Sequence, residues 1–412
     1  MAVTASSPAL PKAALQLLAA APHRLLFFVG AANVLLAMAW WTVWLLAARW
    51  HGFALPQPAL PAGWMHALIM QYQVLPPFMF GFLLTVFPRW MGLPALARRH
   101  YVPVGIGLFG GQALTLAGLC GLPMLLHLGI VLTILGWSVG LFWLLRLRQQ
   151  EPGRTWHAIS CTAALALGLA GLVMAAIYLH HPDPMLIFAS IKIGSFGLLL
   201  PIYFTVCHRM VPFFASMVVP GYRVARPMPA LAAFWGLAVT HLALELVHGY
   251  AWLWLVDLPL TGLFAWLLWQ WWPRQRAMPA LLRVLFLGLA WLPAAFALYA
   301  LQSLVYATTG EFVLGRAPAH ALFIGYFGSL LVAMVTRVTQ GHSGRPLELG
   351  KVAAFAFALV QLVAIVRIVA ELTSDPLAWQ AVAALGWLLA FAPWVLRSGW
   401  IYLTPRADGK PG

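Results

Sequence analysis

The sequence predicts an all-α protein, a polytopic membrane helix bundle of about twelve transmembrane helices with both termini on the cytoplasmic side. Composition is the first observation: 63% of the 412 residues are hydrophobic and only 8% are charged, whereas soluble domains carry about 25% charged residues. The second is that apolar runs of roughly 20 residues, the length that crosses a bilayer, recur from end to end. The third is that Lys and Arg cluster between these runs. A soluble globular domain is therefore excluded.

Apolar windows bounded by charged residues, Pro and Gly define the spans in chain order, with breaks such as RLRQQEPGR after the fourth and PRQRAMP after the eighth. The first six are predicted at residues 25–48, 66–88, 102–120, 123–145, 156–180 and 185–207. The last six are predicted at residues 229–249, 251–272, 279–303, 318–338, 352–372 and 378–402. We expect one transmembrane domain, residues 23–404, between cytoplasmic tails at residues 1–22 and 405–412.

Positive charge tests both the number of spans and their orientation. The formal net charge is +15, which in a soluble chain would suggest nucleic acid as a partner. With the N-terminus inside, however, all but four of the 24 Lys and Arg residues fall on the inner half, the exceptions being Arg49, Lys192, Arg316 and Arg367. This asymmetry is the positive-inside pattern of membrane proteins. The expected partner is therefore the lipid bilayer, and no nucleic acid is predicted.

Ionisable residues inside spans are costly and are therefore candidates for function. In the outer layer, His66 and His320 open the second and tenth spans at a similar depth. Two imidazoles on different helices can be the axial ligands of a haem between them, although interfacial histidines would explain them equally well. Lys192 lies about 8 residues inside its span, or roughly 12 Å at the helix rise. Such a depth predicts a partner, either Glu245, Glu371 or a haem propionate, unless the side chain snorkels to the surface.

A second group of outer residues, His241, Glu245 and His248, has the spacing i, i+4, i+7, which places all three on one stripe of a helix. Two imidazoles and a carboxylate can hold a metal, because neutral imidazole suits Cu, Fe and Zn. The alternative is a polar patch at the membrane interface. Arg367 and Glu371, spaced i, i+4, are predicted to form an ion pair with each other.

On the inner side, amides and prolines occur within the second span, in the stretch MQYQVLPPF. Gln71 and Gln73 need hydrogen-bond partners there, and the Pro76–Pro77 pair frees backbone carbonyls that neighbouring helices or water must satisfy. We expect a kink at this point and a cavity beside it.

The inner layer carries a basic group of residues at the ends of the sixth and tenth spans: His208, Arg209, Arg337, His342 and Arg345. Membrane topology and the preference of cations for helix C-termini already explain this charge. A functional alternative is binding of an anionic partner or lining of an inner cavity. The other inner histidines beside arginines or loops are predicted to be surface groups: His23, His100 and His157.

Three segments resemble the NnrS family, multispan membrane proteins linked to the bacterial nitric-oxide response and denitrification. In HALIMQYQVLPPFMFGFLLTVFPRWMG, residues 66–92, the family spacing is kept from His66 to Gly81, Thr85, Pro88, Trp90 and Gly92. HRMVPFF, residues 208–214, resembles the family's Arg-x-x-Pro-Phe-Phe segment. HALFIGYFGSLLVAMVTRVTQGHSGRP, residues 320–346, keeps its Thr-Arg and Gly-His-x-Gly-Arg-Pro positions in register.

The resemblance implies a twelve-helix protein of the bacterial inner membrane, similar to members reported to carry haem and copper. It further implies a role in sensing or relieving nitrosative stress, with nitric oxide as a ligand and without bulk catalysis. Haem ligation by His66 and His320 gains support from it. The family's second histidine and its glutamate in His-x-His-Glu are Leu68 and Ile69 here. Neither side chain can bind a metal, which puts copper in doubt.

Two other classes of function remain open at this point. One is a membrane redox enzyme distantly like the core subunits of haem–copper oxidases and nitric-oxide reductases, in which low-spin haem histidines also lie on the second and tenth spans. The tenth span lacks His-x-His, the seventh lacks His-His, and His208 lies at the inner end of the sixth. The other class is a secondary transporter, although residues 1–205 and 206–412 show no internal repeat of the kind common in such folds.

Overall fold

A computed structural model describes residues 10–52, 55–56, 60–274 and 278–409 of the chain. All regular secondary structure in these ranges is helical, and the twelve long helices are labelled α1–α12 in chain order. The first six are α1 Pro22–Trp50, α2 Ala62–Met91, α3 Arg98–Leu119, α4 Pro123–Gln150, α5 Trp156–Tyr178 and α6 Pro184–Val218. The last six are α7 Met228–Leu246, α8 Trp254–Trp271, α9 Ala280–Thr309, α10 Ala317–His342, α11 Lys351–Ala370 and α12 Pro376–Leu403. A short helix, Leu10–Leu18, precedes them.

Eleven of these helices are long and apolar enough to cross a membrane, within the described residues. The exception is α8, whose 18 residues include Asp257, Pro259 and Gln270 and are therefore less hydropathic. The predicted polytopic helical bundle is thus confirmed, with α8 as the weakest of the twelve predicted spans. The predicted orientation, with both termini inside, stays a prediction.

The helices form a centre of three surrounded by the rest. The most apolar windows of α2, α6 and α10 are 89%, 67% and 78% buried, against at most 56% in the other candidate spans. Around them, α4 packs on α5, α8 on α9, and α12 on α1. The three central helices are therefore spaced four helices apart along the chain.

Each central helix contains a π-helical segment in its N-terminal half: Met70–Val74 in α2, Ile193–Leu199 in α6 and Ala321–Gly328 in α10. In α2, the Leu75 amide donates to the carbonyl of Met70, five residues back, directly before the Pro76–Pro77 pair that was expected to disturb the helix. Such segments within α-helices are frequent at functional sites. Gln71 ties α2 to α6 here, donating to the Ser195 hydroxyl at 2.9 Å.

The helix of the sixth predicted span extends beyond the predicted end at residue 207, because α6 continues to Val218. The pair His208–Arg209 suggested a boundary at the membrane surface. In the structure His208 is fully buried, and the Arg209 guanidinium lies 4.3 Å from the ring of Trp90. A stacked arginine and a buried neutral imidazole can both be accommodated inside a helical bundle.

Candidate functional site

The candidate site is a cavity of about 1710 Å³, counting its open mouth, and it is lined by α1, α2, α6, α9, α10, α11 and α12. It lies at the ends of these helices that are predicted to face outward, and it is called the outer cavity for that reason. Aromatic side chains form much of its wall: Trp41, Trp64, Phe188, Phe196, Tyr299, Phe323 and Trp387. Polar and charged side chains converge on it from several helices: His66, Gln71, Lys192, Arg316, His320, Arg367 and Gln380. A concave, largely apolar pocket with a few convergent polar groups is typical of a ligand or cofactor site.

His66 and His320 both line this cavity, from α2 and α10 respectively. The Nδ1 of His320 lies 3.0 Å from the carbonyl oxygen of Arg316. Because a carbonyl can only accept, the proton of the neutral ring is on Nδ1 and the lone pair is on Nε2. The ring of His66 stacks on Trp41 with centroids 4.4 Å apart, and no hydrogen bond to it is found within the described ranges. Both imidazoles are therefore oriented, one by a hydrogen bond and one by stacking.

Three cations lie in the cavity wall, and two of them have a carboxylate behind them. Arg367 pairs with Glu371 one turn later in the sequence, as its spacing predicts. Glu371 also accepts a hydrogen bond of 3.2 Å from the backbone amide of Arg316. Lys192 lies with its Nζ 2.8 Å from Glu245 Oε2, one of its three predicted partners. The face that these residues present to the cavity is positively charged.

Behind Lys192, a charged chain leads away from the cavity. Glu245 Oε1 lies 3.7 Å from His241 Nε2, too far for a hydrogen bond. His241 Nδ1 lies 2.7 Å from Asp257 Oδ1 on α8. His241 and Asp257 are fully buried and Glu245 is 3% exposed. Asp257 was not singled out from the sequence, where it was only a polar residue within the eighth span.

His248 does not share the stripe predicted for it with His241 and Glu245. α7 ends at Leu246, and His248 follows in a left-handed conformation with φ of 56°. Its ring is exposed, with Nδ1 2.8 Å from the Tyr250 hydroxyl. No group of three or more His, Cys, Asp or Glu side chains that could hold a metal occurs in the part of the chain that the structure describes. The residues of the stripe have ion-pair and hydrogen-bond partners instead.

The basic residues predicted for the inner layer do not form one cluster, and three of them pack on different aromatic or imidazole rings. Arg337, only 8% exposed, lies 4.2 Å from the ring of Phe214, and Arg345 lies 5.3 Å from that of Trp400. The His342 ring faces that of His23 at 4.2 Å between centroids. These contacts connect α10 to α6 and α1, and the segment after α10 to α12, so a packing role accounts for each of them.

Two buried imidazole pairs correct the prediction that inner histidines lie on the surface. His23 and His157 are only 6% and 5% exposed. His157 Nε2 lies 2.9 Å from His208 Nδ1, and His208 Nε2 lies 3.1 Å from the Pro227 carbonyl. His208 therefore donates to Pro227 through Nε2 and accepts from His157 through Nδ1. Nothing in the spacing of residues 51 positions apart signals such a pair.

The contacts among the three central helices use the segments on which the resemblance rested. Trp90 of α2 stacks on Arg209 of α6, and Phe214 of α6 stacks on Arg337 of α10. The family model for NnrS protein matches residues 17–406, nearly the whole chain.

The chain belongs to the NnrS family. No curated protein matches its sequence.

The NnrS motif residues of α2 have identifiable structural roles. A Cβ at Gly81 would lie 2.9 Å from that of Leu26, so only glycine lets α1 and α2 approach this closely. Thr85 donates to the Gly81 carbonyl at 2.7 Å and accepts from the amide of His23 at 3.2 Å. Gly92 ends the helix with φ of 67°, a conformation that favours glycine. These motif positions maintain the packing of the inner half, while His66 lies in the outer cavity.

Proposed function

We propose that this NnrS-family protein binds haem in the outer cavity, between α2 and α10, and takes part in the response to nitric oxide. His66 and His320 are the residues that would hold its iron. The observation that carries the proposal is that both imidazoles line one cavity, with the Nδ1 proton of His320 used by a backbone carbonyl. Metal-ligating histidines almost always donate their other ring N–H in this way, which fixes the tautomer and the orientation of the ring.

The charges of the cavity wall suit the carboxylates of such a cofactor. Lys192, Arg316 and Arg367 all line it, and cations of this kind pair with carboxylates through charge-assisted hydrogen bonds. The aromatic side chains around them exclude water and pack against an apolar macrocycle. Bound haem would supply an iron, at which nitric oxide would take the place of one of the two imidazoles. The protein supplies the two imidazoles, the positive wall and the dry surroundings.

Copper is not part of the proposal, because the donors are missing. Leu68 and Ile69 occupy the positions of the family's second histidine and glutamate and are 6% and 2% exposed, within the apolar core. His241 and Glu245, the remaining pair considered from sequence, are held by Asp257 and Lys192.

The physiological part of the proposal rests on the family. NnrS proteins are linked to nitrosative stress, and a multispan protein with a haem near the outer face would meet nitric oxide that enters from outside the cell. We place the protein in the bacterial inner membrane, and we infer sensing or protection without bulk turnover.

The test is the absorption spectrum and iron content of the detergent-purified, full-length protein. We expect a Soret band in the wild type with about one iron per chain, and a shifted or weakened band in His66→Ala and in His320→Ala. Absence of the band in the wild type would reject haem binding. A band unchanged in both variants would reject the ligands.

His181→Ala is the matched control, because His181 is exposed between α5 and α6 and does not line the cavity. Its spectrum should equal that of the wild type. A loss of haem in this variant as well would point to general misfolding and not to ligation.

A further inference from the structure

The chain of Lys192, Glu245, His241 and Asp257 crosses from the cavity wall into the bundle through three helices. Lys192, on α6, is 25% exposed at its side chain, whereas Glu245 is 4% exposed and the last two are fully buried. Phe196 covers His241 with ring centroids 4.0 Å apart, so water has little access. The proposed binding of haem by His66 and His320 makes no use of Glu245, His241 or Asp257.

The signs of the charges alternate along the chain if His241 is an imidazolium: positive, negative, positive, negative. The four groups are then neutral together, and each charge has an opposite neighbour. Burying an ion without such a partner is strongly unfavourable. The chain is therefore sensitive to the loss of any one charge, and Lys192 is the member that faces the cavity.

An anion in the cavity would compete with Glu245 for Lys192. Arg316 and Arg367 line the same cavity and attract anions to it. When the ammonium of Lys192 turns to such an anion, Glu245 keeps only His241 at 3.7 Å. A carboxylate that loses its nearest cation in a desolvated position gains affinity for a proton.

We infer that the chain couples the binding of an oxyanion or carboxylate in the outer cavity to the uptake of one proton, with Glu245 as the proton acceptor. In this step the Lys192 ammonium exchanges Glu245 for the anion, and a proton from bulk water forms an O–H bond with Glu245. No other bond changes and no electron moves. The net charge of the four side chains together with the bound anion and proton is the same as that of the four side chains before binding.

Among the described residues, Glu245 is the carboxylate that pairs with Lys192, and it is therefore the one released when Lys192 turns to the anion. Facing Glu245 are Lys192 from α6, His241 from its own helix, and the phenols of Tyr250 and Tyr299. Asp257 is held by His241 at 2.7 Å and makes no contact with Lys192. Phenols release protons only in strongly alkaline solution, so Glu245 is the site of uptake near neutral pH.

Calorimetric titration of the full-length protein in nanodiscs tests this coupling, with sodium nitrite as one probe and ferric haem as the other. Titrations in buffers of different ionisation enthalpy give the number of protons bound per anion. We expect about one proton in the wild type and almost none in Glu245→Gln. Lys192→Gln should also lose the uptake, because Glu245 is then already protonated before the anion arrives.

Glu371→Gln is the matched control, since Glu371 pairs with another cation of the same cavity but keeps the amide of Arg316 as a donor. It should retain the uptake. If the Glu245→Gln and Lys192→Gln variants fail to fold, an infrared difference spectrum of the wild type with and without anion gives the same information. The expected signal is a new band of a protonated carboxyl group.

Three results would overturn the inference: binding without proton uptake in the wild type, uptake that persists in a folded Glu245→Gln, or no binding of either probe. The haem arm rests on the proposed function, and the nitrite arm does not. Nitrite binding with uptake but no haem binding would support the inference and reject the haem. Haem binding without proton uptake would support the proposed function and reject the inference.

Discussion

Single residues of the outer cavity differ in how firmly they are held. His320 donates to a backbone carbonyl one turn before it, whereas His66 is oriented by stacking on Trp41. The position of His320 at the start of the tenth span could be predicted from the sequence, and Glu245 was one of three partners predicted for Lys192. The stacking of His66 could not be predicted, because it depends on how α1 and α2 pack.

This difference predicts unequal effects of removing the two proposed haem ligands. His320→Ala should lose most of the haem, because it removes the ligand with a fixed tautomer. His66→Ala should retain more haem and bind an added ligand such as imidazole at the vacated position. Iron content and the spectrum with and without imidazole measure this, and equal haem loss in both variants would contradict it.

The ion pair between His241 and Asp257 predicts a large stability effect from a small chemical change. Asp257→Asn removes a buried charge opposite His241 at 2.7 Å and should lower the free energy of unfolding by about 2 kcal/mol or more. Thermal unfolding of the purified protein in detergent provides the measurement.

Asp375→Asn is its control, because the pair of Asp375 with Arg49 is well exposed on both sides and such pairs contribute little. Asn also preserves the hydrogen bond by which Asp375 caps α12. A loss of stability in Asp375→Asn as large as that in Asp257→Asn would show that burial is not what makes the His241–Asp257 pair important.

Whole helices pack most closely where glycines face each other, as between α3 and α4. A Cβ at Gly107 would lie 2.5 Å from the Cα of Gly136, a backbone atom that can move only with its helix. The sequence indicated both helices but not this contact, because small residues in apolar runs do not reveal which partner they face. The π-helical segments could not be predicted from the sequence either. The exception is α2, where Pro76 and Pro77 lack N–H donors and therefore indicate a disturbed helix.

Gly107→Ala should therefore destabilise the protein by about 1–3 kcal/mol, since α3 and α4 must separate. The midpoint of thermal unfolding should fall accordingly. Gly236→Ala in α7 has nothing within 4 Å of the new methyl group and should leave the midpoint unchanged or raise it slightly, because alanine favours helix. Equal effects of the two changes would exclude close packing as the cause.

The molecule as a whole has three central helices, α2, α6 and α10, which are spaced four helices apart along the chain. Comparison of the two sequence halves could not detect this arrangement. Hydropathy and charge were sufficient to predict the helical bundle, since the insertion of a helix into the membrane depends on the composition of successive segments of the chain. The depth of individual residues and the pairing of buried histidines depend on helix rotation, which apolar periodicity does not determine when the whole helix is apolar.

Orientation in the membrane is the property of the whole molecule most directly open to test. With the N-terminus inside, the exposed Cys120 after α3 faces outward, while Cys161 and Cys207 are buried. A membrane-impermeant maleimide should label intact spheroplasts, and the labelling should disappear in Cys120→Ser. Labelling that requires permeabilised membranes would reverse the predicted topology.

The π-helical segments also divide each central helix into two lengths whose rotational phases are set separately. Adding or removing one residue beside such a segment, with the hydrogen-bond pattern of the helix otherwise unchanged, would turn everything beyond it by about 100°. In α10 the segment lies between His320 and Arg337. Insertions and deletions of a single residue there, more than substitutions, would change which way the outer histidine points while the packing of the inner arginine is kept. Chain length within these short stretches is therefore a means of tuning the cavity independently of the motifs on the other side of the membrane.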